Sequence, residues 1–294
     1  MKKQNLFYVF FAAVAFAAME PASKLLSGQI HPLSLTFLRF FIGSLMLLPL
    51  AAYTVKRRKI SLNRRDVLGL AVRGILCVCV SMGLLQAAVF KANSAALIAV
   101  IFCTNSVMTV LFAALLLGEG LTRLRMLALA LCMAGVAAGG GGAVGEHVGA
   151  AILALLSAVA MSLFTVLGKK QLNRIPTCVQ IGVSFSIGTL VLGVALAFAG
   201  IPLFLQTFHV NSAGIALFLG IVVTGLGYLA YFKAMEETGA FMASLVFFIK
   251  PILAPVMSLL ILGEAKGGAA LYASVALVLA GSTLMLWDKK KTVC

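Results

Sequence analysis

The stretch GAFMASLVFFIKPILAPVMSLLILGE, residues Gly239 to Glu264, reads as an apolar helix long enough to cross a bilayer. A hydrocarbon core of about 30 Å needs roughly 20 such residues. Lys250 stands near the middle of the stretch. At that depth a lysine costs ~2.5–3.5 kcal/mol on insertion scales, so it requires a polar neighbour, a watery cavity or a ligand. Pro251 and Pro255 follow directly. Each lacks an amide proton, and each is expected to kink the helix and free a backbone carbonyl. Such carbonyls are tolerated at membrane depth only inside protein or beside water.

The rest of the chain has the same character. Of 294 residues, 62% are hydrophobic and 11% charged, which describes a polytopic membrane protein and excludes a soluble globular domain. The formal net charge of +15 would suggest nucleic acid in a soluble protein. In a membrane protein it gathers in cytoplasmic loops for reasons of topology, so the bilayer is the expected partner and nucleic acid is not. Cys77, Cys79, Cys103, Cys132 and Cys178 lie in or beside apolar spans and Cys294 ends the sequence. Neither zinc spacing nor a disulfide framework is visible, and no metal or cofactor is expected. Lys2 and Lys3 precede an apolar run that continues past Glu20, read as an uncleaved first span.

Ten windows meet the span criterion: 5–25, 32–53, 67–90, 94–117, 124–142, 148–168, 178–199, 212–232, 240–262 and 268–287. The connections are too short to house a soluble domain, so function must reside in the bundle. With the amino terminus inside, 17 of the 23 lysines and arginines fall on the cytoplasmic side, including the run from Lys56 to Lys59 and Lys289 to Lys291. The positive-inside rule then puts both termini in the cytoplasm of a cell-membrane protein. His31, His147 and His209 fall in outer loops, where they either mark the interface or sense external pH.

The chain also repeats itself. Glu119 and Glu264 each end an LLLGE or LILGE run and lie 145 positions apart (264 − 119), a spacing shared by Lys24 with Lys169, Gly43 with Gly188 and Gly69 with Gly214. This gives a first five-helix repeat over 1–143, a second over 147–288 and a basic tail at 289–294. Five spans is an odd number, so the second copy enters the membrane from the opposite side. The expected fold is therefore all-α, with ten transmembrane helices as two inverted five-helix repeats, a construction of many secondary transporters whose site lies near the midplane.

A lysine late in the first helix, the PLSLTFLR start of the second and the LGE end of the fourth, in two copies over nearly the whole chain, resemble the EamA family of the drug/metabolite transporter superfamily. The resemblance implies movement of small metabolites, often amino acids or related compounds, by alternating access. One departure is evident: Asn105 and Ser106 stand where the second copy has Lys250 and Pro251, so the halves are expected to contribute unequally.

Charged and polar residues inside the spans are the candidate site. Lys250, with Asn105 as its repeat mate, is the leading ligand residue; Val246, Phe247, Ala243, Ala254 and Met257 surround it on a helical projection. Glu20 and Lys24 share one face of the first span, either neutralising each other or serving as proton acceptor and substrate contact. Arg39 lies at similar depth and either completes a cluster with that pair or forks onto a substrate carboxylate or phosphate. Arg73 is expected to snorkel to headgroups. Ser81, Gln86, Thr224, Tyr228 and Tyr231 are further lining candidates. Gly225 and Gly227 lack the strand and acidic residue of a dinucleotide fingerprint. Tyr8 and Trp287 are expected interface anchors, Glu119 and Glu264 helix-end or gating residues with Lys266 beside the latter, and Gly139 to Gly142 a joint between repeats.

Within the spans Lys24, Arg39, Arg73 and Lys250 outnumber Glu20 by three positive charges. That excess favours a secondary transporter for an amino acid or other small organic anion or zwitterion. The alternatives are a multidrug or amine exporter anchored on Glu20, and a membrane sensor or scaffold. An intramembrane enzyme would need a nucleophile and base, or metal ligands, at one depth, and the spans hold no acidic pair or histidine. Small-residue faces on the fifth and tenth spans permit a homodimer.

Overall fold

The computed structural model describes residues 3–117, 123–141, 148–171, 175–204, 210–263 and 269–292, and every regular element among them is helical. Glu119, Gly142, His147, His209, Glu264, Lys266 and Cys294 lie outside the described residues, as do the side chains of Cys132, Ala243 and Trp287. The first span is α1 (Lys3–Ala17) and α2 (Met19–Lys24). Pro21 has no amide to give the Ala17 carbonyl, and α1 ends at that residue. Next comes α3 (Pro32–Arg58), begun by Pro32 and by His31, whose Nδ1 accepts from the Leu33 amide at 3.3 Å. His31 thus caps a helix. The third span joins α4 (Arg64–Gly74), a π-helical stretch (Ile75–Met82) and α5 (Gly83–Lys91). The fourth joins α6 (Ala95–Phe102) and α7 (Asn105–Leu117). Then follow α8 (Arg123–Gly141), α9 (Val148–Gln171), α10 (Thr177–Phe198), α11 (Val210–Leu217), a second π-helical stretch (Phe218–Gly227), α12 (Tyr228–Leu262) and α13 (Ala269–Thr292).

Seven stretches have the length and apolarity to cross a membrane: 6–24, 32–58, 64–91, 95–116, 148–168, 177–198 and 210–234. Shorter apolar helices, Met126–Gly135, Ile249–Leu262 and Leu271–Gly281, fall within the other three windows. The chain is a multi-pass membrane protein. Although α12 is helical throughout, it is not one rod. A straight helix would hold Tyr231 and Phe247 roughly 24 Å apart, yet their ring centroids are 5.5 Å apart. The chain therefore doubles back between them.

Helix breaks do not coincide with Pro251 and Pro255, which lie inside α12 without interrupting it. The fourth span, which has no proline, breaks instead at Cys103 and Thr104. There Thr104 Oγ1 donates to the Ile101 carbonyl and Ser106 Oγ to the Cys103 carbonyl, both at 2.7 Å. The Thr104 and Ser106 amides reach the same two carbonyls at 3.1 and 3.2 Å, so hydroxyl and amide together hold the carbonyls of the break and make it tolerable at depth.

Spans of the two repeats interlock through glycine. A Cβ on Gly43 would lie 2.8 Å from Thr224 Cγ2, and one on its repeat mate Gly188 would lie 2.9 Å from Val78 Cγ2. The Cys79 thiol, itself the repeat mate of Thr224, donates to the Gly188 carbonyl at 3.4 Å. Thus α3 meets the second π stretch as α10 meets the first, a reciprocal arrangement of two related units. On the relation between them, the mates Phe40 and Phe185 meet edge to face at 4.9 Å. The small faces of α8 and α13 pack on each other within the chain, with Gly135 against Leu277 and Val278. That occupies the face which, from sequence, a homodimer would use.

Gly188→Ala is expected to destabilise the protein in detergent by about 1–3 kcal/mol, as overpacking does. Gly149→Ala, where a Cβ meets nothing within 4 Å, is expected to be neutral or stabilising by about 0.5–1 kcal/mol through helix propensity. Thermal unfolding of the two variants side by side checks the contrast in sign.

Candidate functional site

The ammonium of Lys250 lies 2.5 Å from Glu20 Oε1, with the two side chains 1% and 0% exposed. This pair joins α2 of the first repeat to α12 of the second. The same ammonium sits 5.0 Å above the Phe102 ring, at the end of α6 beside the helix break. Glu20 therefore pairs with Lys250, and the expected pairing within one helix face is not the one adopted. Lys24 instead donates to the carbonyls of Phe90 at 3.2 Å and Ala92 at 2.5 Å, at the end of α5. A cation there complements the negative end of the helix.

Several buried polar atoms of the first repeat lack partners. Glu20 Oε2, Arg39 Nε, Gln86 Nε2, Asn105 Nδ2 and Ser23 Oγ are all buried without a hydrogen bond. An orphaned buried polar group costs about 1–3 kcal/mol, so such a cluster needs an explanation in ligand or water. Arg39 is the most conspicuous, being only 2% exposed. Its visible partners are soft: the Met82 sulfur at 3.0 Å and the Phe40 ring at 5.0 Å. It lies within electrostatic reach of Glu20, Tyr228 and Cys77. The expected cluster with Glu20 is present in that loose sense, while Arg39 forms no direct carboxylate contact among the described residues.

Aromatic rings gather near Arg39 and Glu20, within whose electrostatic reach Tyr228 lies. Phe16 lies 5.0 Å from Tyr228, 6.0 Å from Tyr231 and 6.4 Å from Phe247. Tyr228 also meets Phe185 edge-on at 4.9 Å and directs its hydroxyl to the Met82 sulfur at 3.7 Å. The folded-back α12 creates this wall by bringing Tyr228, Tyr231 and Phe247 to one place.

Other predicted residues lie elsewhere or are engaged. Asn105 starts α7, and its carbonyl accepts from Ser162 at 2.8 Å while its amide nitrogen stays unbonded. Thr224 donates to the Leu219 carbonyl of its own helix at 2.8 Å and turns its methyl towards Gly43. Ser81 is held in reciprocal bonds with Ser157 at 3.0 and 2.7 Å, so it joins spans and does not line a cavity. Arg73 does not snorkel. It is 1% exposed, donates to Gln180 Oε1 at 2.5 Å and stacks 4.9 Å from Phe164, in space that Gly168 leaves open. Three partners on α9 and α10 hold it inward, where headgroups would be out of reach. Tyr8 faces Lys233, 5.2 Å from its ring.

Phe16, Met82, Phe102 and Ser23 belong to the site and were not singled out from sequence. Phe102 carried a signal, being the repeat mate of Phe247. For Phe16 and Met82 there was none, because apolar residues in apolar spans do not stand out.

Comparison with known proteins agrees with this architecture. The model of the EamA-like transporter family matches twice, over residues 4–138 and 148–287. An uncharacterized transporter of Clostridium kluyveri is 35% identical over 273 residues, covering 89% of this chain and 86% of the relative. An uncharacterized protein of Pseudomonas aeruginosa is 31% identical over 271 residues, covering 89% and 88%. A solved crystal structure superposes with a TM-score of 0.67 at 21% identity over 97% of both chains, which shows a shared fold. With a buried polar cluster between two copies of one helical unit, the chain belongs to the EamA-like transporter family.

Proposed function

We propose that this chain is a secondary transporter of the cell membrane that moves a small zwitterion or organic anion, such as an amino acid, by alternating access. In this reading ten spans form two inverted repeats, 1–143 and 147–288, with the tail at 289–294 and both termini in the cytoplasm. The observation that carries the substrate class is the pair of orphaned atoms Arg39 Nε and Glu20 Oε2, both within electrostatic reach of Tyr228, whose ring lies 5.0 Å from Phe16. A substrate carboxylate satisfies the guanidinium in the fork geometry it favours. Gln86 and Asn105 supply further neutral donors from their free amide nitrogens. The substrate ammonium goes to Glu20 Oε2 and the rings of Phe16, Tyr228 and Tyr231, where cation–π attraction adds about 0.5–2 kcal/mol. Lys250 becomes the residue that holds Glu20 in place.

Rocking of one repeat against the other would expose the site to each side in turn. The Arg73 to Gln180 bond, which ties α4 to α10, is then a contact that one of the two states releases. A second reading, an exporter of lipophilic amines, is favoured by Glu20 Oε2 and the ring wall but leaves Arg39 without a role.

In proteoliposomes, Arg39→Gln is expected to lower uptake of an amino acid at least tenfold while sparing its decarboxylated amine. Equal loss of both would remove Arg39 from carboxylate recognition. Glu20→Gln is expected to do the reverse, weakening amine and zwitterion but sparing the corresponding deaminated acid; a resistance phenotype for lipophilic amines that survives Arg39→Gln would instead support the exporter. Lys250→Ala should destabilise by about 3–5 kcal/mol, because it leaves a buried charge alone. The double variant Glu20→Gln with Lys250→Met should recover much of that stability without recovering uptake of the zwitterion. Thermal melts read against uptake separate the two effects.

A further inference from the structure

Two hydrogen-bond donors of the buried cluster meet on one sulfur. Arg39 Nη2 lies 3.0 Å from Met82 Sδ, and the Tyr228 hydroxyl lies 3.7 Å from the same atom. Arg39, Met82 and Tyr228 are all closed off from solvent, at 2%, 1% and 3% exposure. A thioether is only a weak acceptor. A guanidinium in a low-dielectric interior is better satisfied by oxygen, above all by an anionic oxygen. The chain supplies oxygen to its other deeply buried arginine, since Arg73 donates to Gln180 Oε1. At Arg39 a sulfur stands in the place that a hard acceptor would take.

Met82 is suited to a place that it must sometimes leave. Its backbone is held, because the Met82 carbonyl accepts from Thr36 Oγ1 at 3.5 Å at the last residue of the first π-helical stretch. Its side chain is unbranched, turns about three bonds and adapts to irregular space. The two donors are more firmly set. The Arg39 guanidinium rests on the Phe40 ring at 5.0 Å. The Tyr228 ring is gripped edge to face by Phe16 at 5.0 Å and by Phe185 at 4.9 Å. Fixed donors around a movable weak acceptor make a preorganised subsite that the chain itself fills.

We propose that the Met82 thioether is a resident stand-in for a carboxylate oxygen: between substrate loads it fills the subsite formed by Arg39 Nη2 and the Tyr228 hydroxyl, and an arriving carboxylate displaces it. The inference rests on the reading that Arg39 takes the carboxylate of a zwitterion or organic anion. To that reading it adds a second donor, Tyr228, and a residue that sets affinity, Met82. A carboxylate binds only while the thioether is turned away, so the apparent dissociation constant is the intrinsic one divided by that fraction of time. In return the guanidinium is never left bare in a dry interior.

Acetate is the probe that tests it, read by saturation-transfer NMR of its methyl group on the full-length protein in phosphatidylcholine nanodiscs, with acetamide as the neutral isostere. Met82→Ala is expected to bind acetate about tenfold more tightly than the wild type does, because the competing group is gone. It is also expected to prefer acetate to acetamide by about tenfold, as a charge-assisted site does. Adding Arg39→Gln to Met82→Ala should return acetate to the wild-type level, and adding Tyr228→Phe should weaken it roughly threefold. A melting curve establishes that each variant is folded. Should Met82→Ala not fold, Met82→Leu keeps the volume without the acceptor, and acetate is then expected to bind roughly threefold more tightly than to the wild type. Unchanged acetate affinity in a folded Met82 variant overturns the proposal. So does a Met82→Ala cavity that takes benzene in preference to acetate, which marks Met82 as ordinary apolar packing. Tighter acetate binding in Met82→Ala upholds the subsite even where no amino acid is carried. Arg39-dependent uptake with no acetate response to Met82→Ala would leave the transport reading standing and overturn the role of Met82.

Discussion

A single ion pair between Glu20 and Lys250 ties the first span to the ninth window and so joins the two repeats at their most polar point. Neither charge would be tolerable alone at that depth. Together they are affordable because the contact is short and Phe102 supplies a ring face to the ammonium. A pair of this kind adds little net stability over apolar packing, since desolvation offsets most of the attraction. Its contribution is specificity: it fixes α2 against α12 and leaves one buried carboxylate oxygen without a partner. The excess positive charge then falls on Lys24, Arg39 and Arg73, of which Lys24 bonds the carbonyls of Phe90 and Ala92. Arg73 is bonded to Gln180 between spans of the two copies, whereas Arg39 rests on sulfur and rings with Nε unbonded.

Close helix crossings make this arrangement possible. In a bilayer there is no hydrophobic drive to bring helices together, so glycine and small side chains must let van der Waals contact do so. Gly43 and Gly188 perform that task at equivalent places, each against a π-helical stretch of the other repeat. The π stretches, Ile75–Met82 and Phe218–Gly227, occur in corresponding positions and reset the face that the third and eighth spans present. The face of Tyr228 and Tyr231 that reaches Phe16 begins directly after the second stretch.

Much of this was legible in the sequence, and the reasons divide cleanly. Span windows, the repeat and the polar residues inside it follow from composition and spacing, because charge in hydrocarbon is expensive enough to be conspicuous. Pair identities were not legible. Glu20 and Lys24 are neighbours on one helix, and nothing local reveals that a residue 230 positions away supplies the ammonium. Break placement was not legible either, since the hydroxyls of Thr104 and Ser106 support a break without proline, while Pro251 and Pro255 sit inside a continuous α12. The aromatic wall depends on α12 folding back on itself, a tertiary event with no signature in hydropathy.

The differences between the copies matter more than their likeness. Arg39 answers Ser184, Asn105 answers Lys250 and Glu20 answers Thr165 across the repeat spacing, while Gln86 answers Tyr228 where the FKA runs at 90–92 and 232–234 set the register. Two identical copies would offer a ligand two equivalent orientations related by the symmetry, and a charged zwitterion would gain from neither. Here the first copy supplies the guanidinium, both free amides and the carboxylate, while the second supplies the tyrosines and the ammonium that holds the carboxylate. A polar ligand therefore has one preferred direction within a frame that is itself nearly two-fold. Under the transport reading proposed above, the likeness of the copies would permit two related states, and the differences among their side chains would fix how a ligand lies in both.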